Sequence, residues 1–366
     1  MCDNHTVTPI SSAEELGLRV REARLGVGRS QGDVARALGV DRTSITRVER
    51  GERGLSTLEL VRLSEFLDLP ISFFLERPSE VVTSLRGAVS DDPDQSERAR
   101  FRADTILDTR LRAAEFLLTA GELPRAMHAP GETTIQSSED ASRMAQEARR
   151  ALGITGPVPA IQSVCEAFGF YVFSERIGID GASRSPDKDF GVAIVRDADD
   201  PGRRRATAAH ELGHHLLGDA YNADFGAAGG SRSEHEQLVD TFAAQFLLPT
   251  RDLRRRLRDV KPDDIWNVLV AVSVDYRVSW SLTVRVAVTA GVIDDATGRR
   301  LSARTPLRSD MLRITGHTVA QDLTYRSYGT NWTRAVMRAQ AQNLITRARA
   351  EEYLAGTDPF GAESGS

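Results

Sequence analysis

Between residues 13 and 75 the chain repeats one pattern: a capping residue, an apolar stripe at helical spacing, then a stop. AEELGLRVREARLG ends at Gly26. RSQGDVARALGV opens on Ser30 as N-cap, turns Val34, Ala35 and Leu38 inward and stops at Gly39. DRTSITRVERG is capped by Asp41, buries Ile45 and Val48, and closes at Gly51. STLELVRLSEFLDLP, capped by Ser56, predicts a fourth helix and PISFFLE a short fifth. The second and third helices, joined by the short GVD turn, have the helix-turn-helix cadence. On the third helix the outward positions are Arg42, Thr43, Ser44, Thr46 and Arg47, and Gln31 opens the second helix. Arginine reads guanine bidentately and hydroxyls contact bases or phosphates, so this face has the chemistry of a DNA reader. The alternative is a helical bundle for protein contacts, its charges merely solvated.

From about residue 79 to 96 the periodicity lapses, and RGAVSDDPDQSE has the turn formers and acid of a linker. ERARFRADTILDTRLRAAEFLLTAGELP resumes a long helical pattern, read as a spacer or dimerising helix, and MHAPGETTIQS is loose again. SEDASRMAQEARRALGI is a capped helix, and VPAIQSVCEAFGF another with Pro159 near its first turn. GFYVFSERI and FGVAIVR are β-type runs, and GIDGASRSPDKD between them has turn chemistry. Two helices follow, RRRATAAHELGHHLLGD and EHEQLVDTFAAQFLLPT, joined by the glycine-rich ADFGAAGGSRS. Beyond them RDLRRRLRDV and DDIWNVLVAVSVDYRVSWSLTVRVAVTAGVID read as helical despite their β-branched residues, with a second helix-turn-helix rhythm capped by Ser279. Residues 302–329 fit no element, WTRAVMRAQAQNLITRARAEEYL is one terminal helix, and GTDPFGAESGS a frayed end.

With 366 residues there is material for two or three cores. No run approaches a membrane span, MCDNHTVTPI lacks the regions of a signal peptide, and Cys2 and Cys165 form no disulfide framework; a cytoplasmic location without membrane contact is expected. The net charge of −5 argues against a protein coated in nucleic acid but leaves room for a local basic edge.

Seven histidines serve the whole chain, and three of them, His210, His214 and His215, fall within AAHELGHHLLGD. His210 and His214 are four apart, so on a helix their imidazoles project from one face within reach of one metal ion. Glu211 lies about 100° round the helix, close enough to hold a water on that ion. Ala208, Ala209, Leu212 and Leu216 form the packing face. A catalytic zinc site needs a third protein ligand and one open position. A histidine six residues after His214 would supply it, but that position is Ala220. The candidates are Asp219, Asp224, Glu234, His235 and Glu236. Glu236 is favoured because Asp240 shares its helical stripe: one carboxylate can bind metal while the other accepts a hydrogen bond from the far nitrogen of a ligand histidine. Asp224 and Glu234 are weaker alternatives. Ala243 and Ala244 are small enough for two helices to approach closely. His215 and His235 could donate to an oxyanion, though packing roles suit them better, and Cys165 is assigned to packing.

Residues 13–78 resemble the Cro/C1-type (XRE) helix-turn-helix family along their whole length. RRRATAAHELGHHLLGD followed by EHEQLVDTFAAQFLLP resembles the ImmA/IrrE family of metallopeptidases, and the upstream order agrees: a helix ending ARRALGI, a Pro-started helix ending in FGF, a strand, DGAS, then an apolar strand. This resemblance implies His210, His214 and Glu236 as zinc ligands and Glu211 as the base that activates water. It departs in Val239, where a small alanine is usual before Asp240, and in the glycine-rich connection. Manganese or iron could also occupy such a site.

The expectation is therefore a multidomain, mainly α chain: an all-α helix-turn-helix domain (13–78), a linker with a long helix (79–137), an α+β zincin-like metallopeptidase domain (138–255), a helical extension (256–300) and a helical tail (301–366). The function expected is a regulator that docks on double-stranded operator DNA, as a homodimer, and cleaves a repressor or antitoxin protein with zinc. The competing function is a transcription factor whose metallopeptidase-like half senses a ligand or partner without cutting.

Overall fold

The computed structural model describes residues 9–77, 83–86, 93–124, 126, 135–198, 200–217 and 232–354. Its first unit comprises α1 (Ala13–Gly26), α2 (Gln31–Leu38), α3 (Arg42–Glu49), α4 (Thr57–Leu67) and α5 (Ile71–Leu75). The side chains of Ser30, Asp41 and Ser56 accept from the backbone N–H groups of Asp33, Ser44 and Glu59, satisfying donors that a helix start leaves open. α2 stops at Gly39, whose φ of 71° suits glycine. Val34, Ala35, Leu38, Ile45 and Val48 form one core with Val20, Leu63, Leu67 and Phe74.

Residues 79–137 are more than a linker. They supply β1 (Thr83–Arg86) and α6 (Pro93–Thr119), and both elements join the central α+β domain, β1 through its sheet and α6 through its core. Next come α7 (Ser138–Ala151), α8 (Ile161–Glu166), β2 (Phe170–Glu175), β3 (Gly181–Asp187), β4 (Phe190–Arg196), α9 (Pro201–Leu217) and α10 (Arg232–Leu247). The helical remainder is α11 (Thr250–Leu257), α12 (Ile265–Tyr276), α13 (Trp280–Thr289), α14 (Asp295–Ser302), α15 (Arg308–Thr315), α16 (Thr330–Ala341) and α17 (Arg347–Tyr353). No described helix is long and apolar enough to cross a membrane.

The sheet runs β1-β3-β4-β2, with β2 and β4 parallel and β3 antiparallel to both its neighbours. Phe170, Val172, Ala193 and Val195 face a core shared with α9 and α10. Tyr171, Phe173, Val192 and Ile194 face a second core with Leu107 and Leu111 of α6 and Trp332 and Val336 of α16. Covering on both sides explains why FYVF and FGVAIV are unbroken apolar runs rather than alternating ones.

Several sequence expectations change here. GASRSPD, read as turn chemistry, is strand β3: its glycine, serines and arginine are buried and held by partners, so propensity misleads. The terminal segment is two helices, broken where Asn343 adopts a left-handed φ of 57°. The β-branched stretch after residue 264 is helical as expected, but α12 and α13 bury Leu269, Val270, Trp280, Val284 and Val286 in the same core as Ala208 and Phe246. α13 is thus a core helix.

Residues 302–329, which fit no element in the sequence, contain α15 and then the anchor of α9. Arg205, wholly buried, pairs with Asp322 and donates to the carbonyls of Pro159 at 2.9 Å and Val158 at 2.8 Å. Asp322 also accepts from the N–H of Ile161 at the start of α8, at 3.1 Å. Arg204 donates to Gln321 Oε1 at 2.8 Å. Glu166 closes the other end of this tail, accepting from the N–H groups of Asn331 and Trp332 at 2.9 Å each; burial holds its carboxyl above the usual range. An Asp322→Ala chain leaves the Arg205 guanidinium buried without its carboxylate. It is expected to lose about 3–5 kcal/mol of unfolding free energy in denaturant titration.

Candidate metal centre

α9 is buried around nearly its whole circumference. Ala208, Ala209, Leu212 and Leu216 pack as expected, yet His210, Glu211, His214 and His215 are also buried. Burying that many polar groups is unfavourable unless each is partnered. Close contact with α10 is made possible chiefly by Gly213, where a Cβ would stand 2.9 Å from Val239 Cγ1 and 3.0 Å from Phe242 Cδ1. The small alanines expected for this role, Ala243 and Ala244, lie in the core further along α10. Val239, the departure from the family pattern, fills this contact and is fully buried.

The approach of the two helices brings His210, His214 and Glu236 together. His210 Nε2 lies 3.1 Å from His214 Nε2 and 3.2 Å from Glu236 Oε2, and His214 Nε2 lies 3.8 Å from Glu236 Oε1. Among the described residues these three form a group able to hold a metal ion, their donor atoms all within 4.8 Å of one another. Asp240 Oδ1 is 2.9 Å from His210 Nδ1. A proton on Nδ1 directed at that carboxylate leaves the Nε2 lone pair facing the cluster, as a ligand requires. Two imidazole nitrogens and one carboxylate suit zinc, and also manganese or iron, and leave a further position open. Glu236 and Asp240 are little more than one-third exposed, so the site opens to solvent on the α10 side.

Glu211, the residue after His210, lies against β3. The Ser183 hydroxyl donates to its Oε2 at 2.6 Å, while Oε1 is buried with no hydrogen-bond partner among the described residues. His215 is structural: its Nδ1 lies 2.8 Å from Ser185 Oγ, its Nε2 3.0 Å from the Phe168 carbonyl, and its ring stacks on Phe170. The His235 ring lies 6.2 Å from that of His214 at the half-buried mouth. Glu234 is exposed at the start of α10, and Asp219 and Asp224 lie outside the described residues.

Sequence reasoning missed the serines. Ser183 and Ser185 share one face of β3 with Gly181, and that face meets α9. Arg184, on the other face, pairs with Asp104 at 2.7 Å and Asp108 at 3.0 Å on α6. The available signal was the period-2 placement of the two serines, which the turn-like composition masked. Cys165 is a buried packing residue whose thiol burial pushes up.

In the first unit, Arg42, Thr43 and Arg47 are exposed on α3, whereas Ser44 and Thr46 are half-buried. The Ser44 hydroxyl donates to the Asp41 cap and the Thr46 hydroxyl to Gln31 Oε1 at 3.2 Å. Gln31 in turn donates to Glu49 at 2.8 Å, and Glu49 accepts from Nε and Nη2 of Arg24 at 2.6 and 3.1 Å. This chain of bonds fixes α1 to α3 and sets the Gln31 amide in place. Arg24 and Glu49 went unnoticed in the sequence because their partners are distant in it.

Fold and site together define a metallopeptidase-like α+β domain joined to a DNA-binding helix-turn-helix domain. Comparison with protein families agrees: residues 20–74 match the helix-turn-helix family model, and residues 165–286 match that of the IrrE N-terminal-like domain, a peptidase family. The second match extends into α13, in line with the core that α13 shares with α9 and α10. No curated protein matches the chain.

If Asp240 orients His210, Asp240→Ala is expected to weaken zinc binding about 10–100-fold, read by competition with a chromogenic chelator, while the thermal unfolding of the metal-free protein changes little.

Proposed function

We propose that the chain is a DNA-binding transcriptional regulator whose central domain is a zinc-dependent endopeptidase that cleaves a repressor or antitoxin protein. The observation that carries this reading is Glu211: fully buried, held by Ser183 through one oxygen, without a described partner for the other, and directly following His210 of the converging group in the chain. When bound, zinc would polarise the scissile carbonyl and lower the pKa of a water toward ~7. His210, His214 and Glu236 would hold it, with Asp240 fixing the His210 tautomer. Glu211 Oε1 accepts the proton of the attacking water and delivers it to the leaving amine, while Ser183 holds Oε2 so that the acid keeps one orientation through both transfers.

A Glu211→Gln chain is expected to retain stoichiometric metal and lose cleavage of the substrate protein by at least about 10²-fold, measured by metal analysis and fragment release. A second reading has its own support. The helix-turn-helix domain packs on α6, with the Phe101 ring 5.6 Å from that of Phe73 and Arg112 paired to Glu76, and α6 also covers the sheet behind the site. Occupancy of the site could therefore act on the DNA reader without any cutting. Regulation that persists unchanged in Glu211→Gln would establish that sensor.

On DNA, Arg42, Thr43 and Arg47 are the exposed contacts, Gln31, Ser44 and Thr46 lying closer to the domain. Arg47→Ala is expected to weaken binding to an operator selected from random duplexes. If Arg47 contacts phosphate, the slope of log K against log salt falls by about 1; if it reads a base, preference at one position relaxes at a cost of about 1–3 kcal/mol.

A further inference from the structure

The sheet has two ends, and they are not equivalent. β2 closes one. At the other, β1 lies antiparallel on β3 with Thr83 opposite Arg184, Ser84 opposite Ser183, Leu85 opposite Ala182 and Arg86 opposite Gly181. Two of those partners belong to the site. Ser183 holds Glu211, and a Cβ on Gly181 would lie 3.1 Å from Glu211 Oε1. Opposed residues of an antiparallel pair are about 4.5–5.5 Å apart at Cα, so β1 runs one strand's width from the strand that holds the acid.

β1 is also unlike the other strands in origin. It comes from the connection between α5 and α6, outside the segment that supplies β2, β3 and β4, and it is four residues long. An extended polypeptide adds to a sheet edge through main-chain hydrogen bonds, largely whatever its sequence. The outer edge of β3 is where such a polypeptide would pass closest to Glu211, and the chain's own residues 83–86 already lie there.

We propose that the outer edge of β3 is the docking line for an extended substrate segment, and that Thr83–Arg86 occupies it in cis. The proposal rests on the peptidase reading and adds regulation to it. A tethered strand acts at an effective concentration of the order of millimolar, enough to exclude a free peptide of weaker affinity. The intact chain therefore screens its own site, and a substrate protein enters when β1 leaves.

The test uses the full chain carrying Glu211→Gln, loaded with zinc, and a fluorescent synthetic peptide of residues 80–90 as probe. Ser84→Pro and Leu85→Pro are compared. Adjacent residues of a strand direct their N–H groups to opposite sides, so one proline deletes a bond to β3 and the other leaves the ladder whole. One variant is expected to bind the probe at least tenfold more tightly than the parent and the other to bind as the parent does. With Glu211 restored, hydrolysis of the probe rises in the same variant. Equal probe binding by the parent and both variants overturns the proposal. Tighter binding in one variant with no hydrolysis by any Glu211 chain upholds the docking line and removes the peptidase reading instead.

Discussion

A helix buried on nearly every side cannot carry four ionisable or polar residues so close together unless its surroundings answer each of them. α9 sets that requirement, and much of the domain is arranged to meet it. Asp240 answers His210, Ser183 answers Glu211, and Ser185 and the Phe168 carbonyl answer His215. At the helix's amino-terminal end Arg204 and Arg205 are met by residues 321 and 322, more than a hundred positions along the chain. Leaving such groups unpaired in a low-dielectric interior costs several kcal/mol each, so these partners belong to the conditions for folding as much as to the chemistry.

The division of legibility between sequence and structure has the same origin. Capped helices, the apolar stripe of α9 and the His210–His214 spacing depend on neighbours within one helical turn, and the sequence displays them openly. Glu236 and Asp240 could be paired by spacing on one helix, but bringing them to the histidines needed the closeness that Gly213 permits. Ser183, Arg24, Glu49 and Asp322 were invisible because each is defined by a partner remote in sequence. Strand β3 was hidden for another reason: its residues are chosen for what they bind, and glycine, serine and proline outvote its strand character in any reading by composition.

The two domains follow one tactic with different means. In the helix-turn-helix unit, Arg24, Glu49, Gln31 and Thr46 form a partly buried polar chain that runs from α1 to α3. In the metallopeptidase-like domain, polar bonds from β3 and α10 hold Glu211, His215 and His210 of α9. Each places a few side chains accurately by anchoring them to groups that have no freedom left, the general condition for recognition or catalysis at small cost in ordering.

β3 carries opposite duties on its two faces, hydroxyls toward α9 and a guanidinium toward the acids of α6. Because side chains alternate along a strand, sliding β3 by a single position would exchange them, driving Arg184 toward the histidines and stranding both serines among the α6 carboxylates. Length in the flanking turns is therefore constrained by parity: a lost or gained residue that shifts the strand inverts every contact at once, whereas most individual replacements disturb only one.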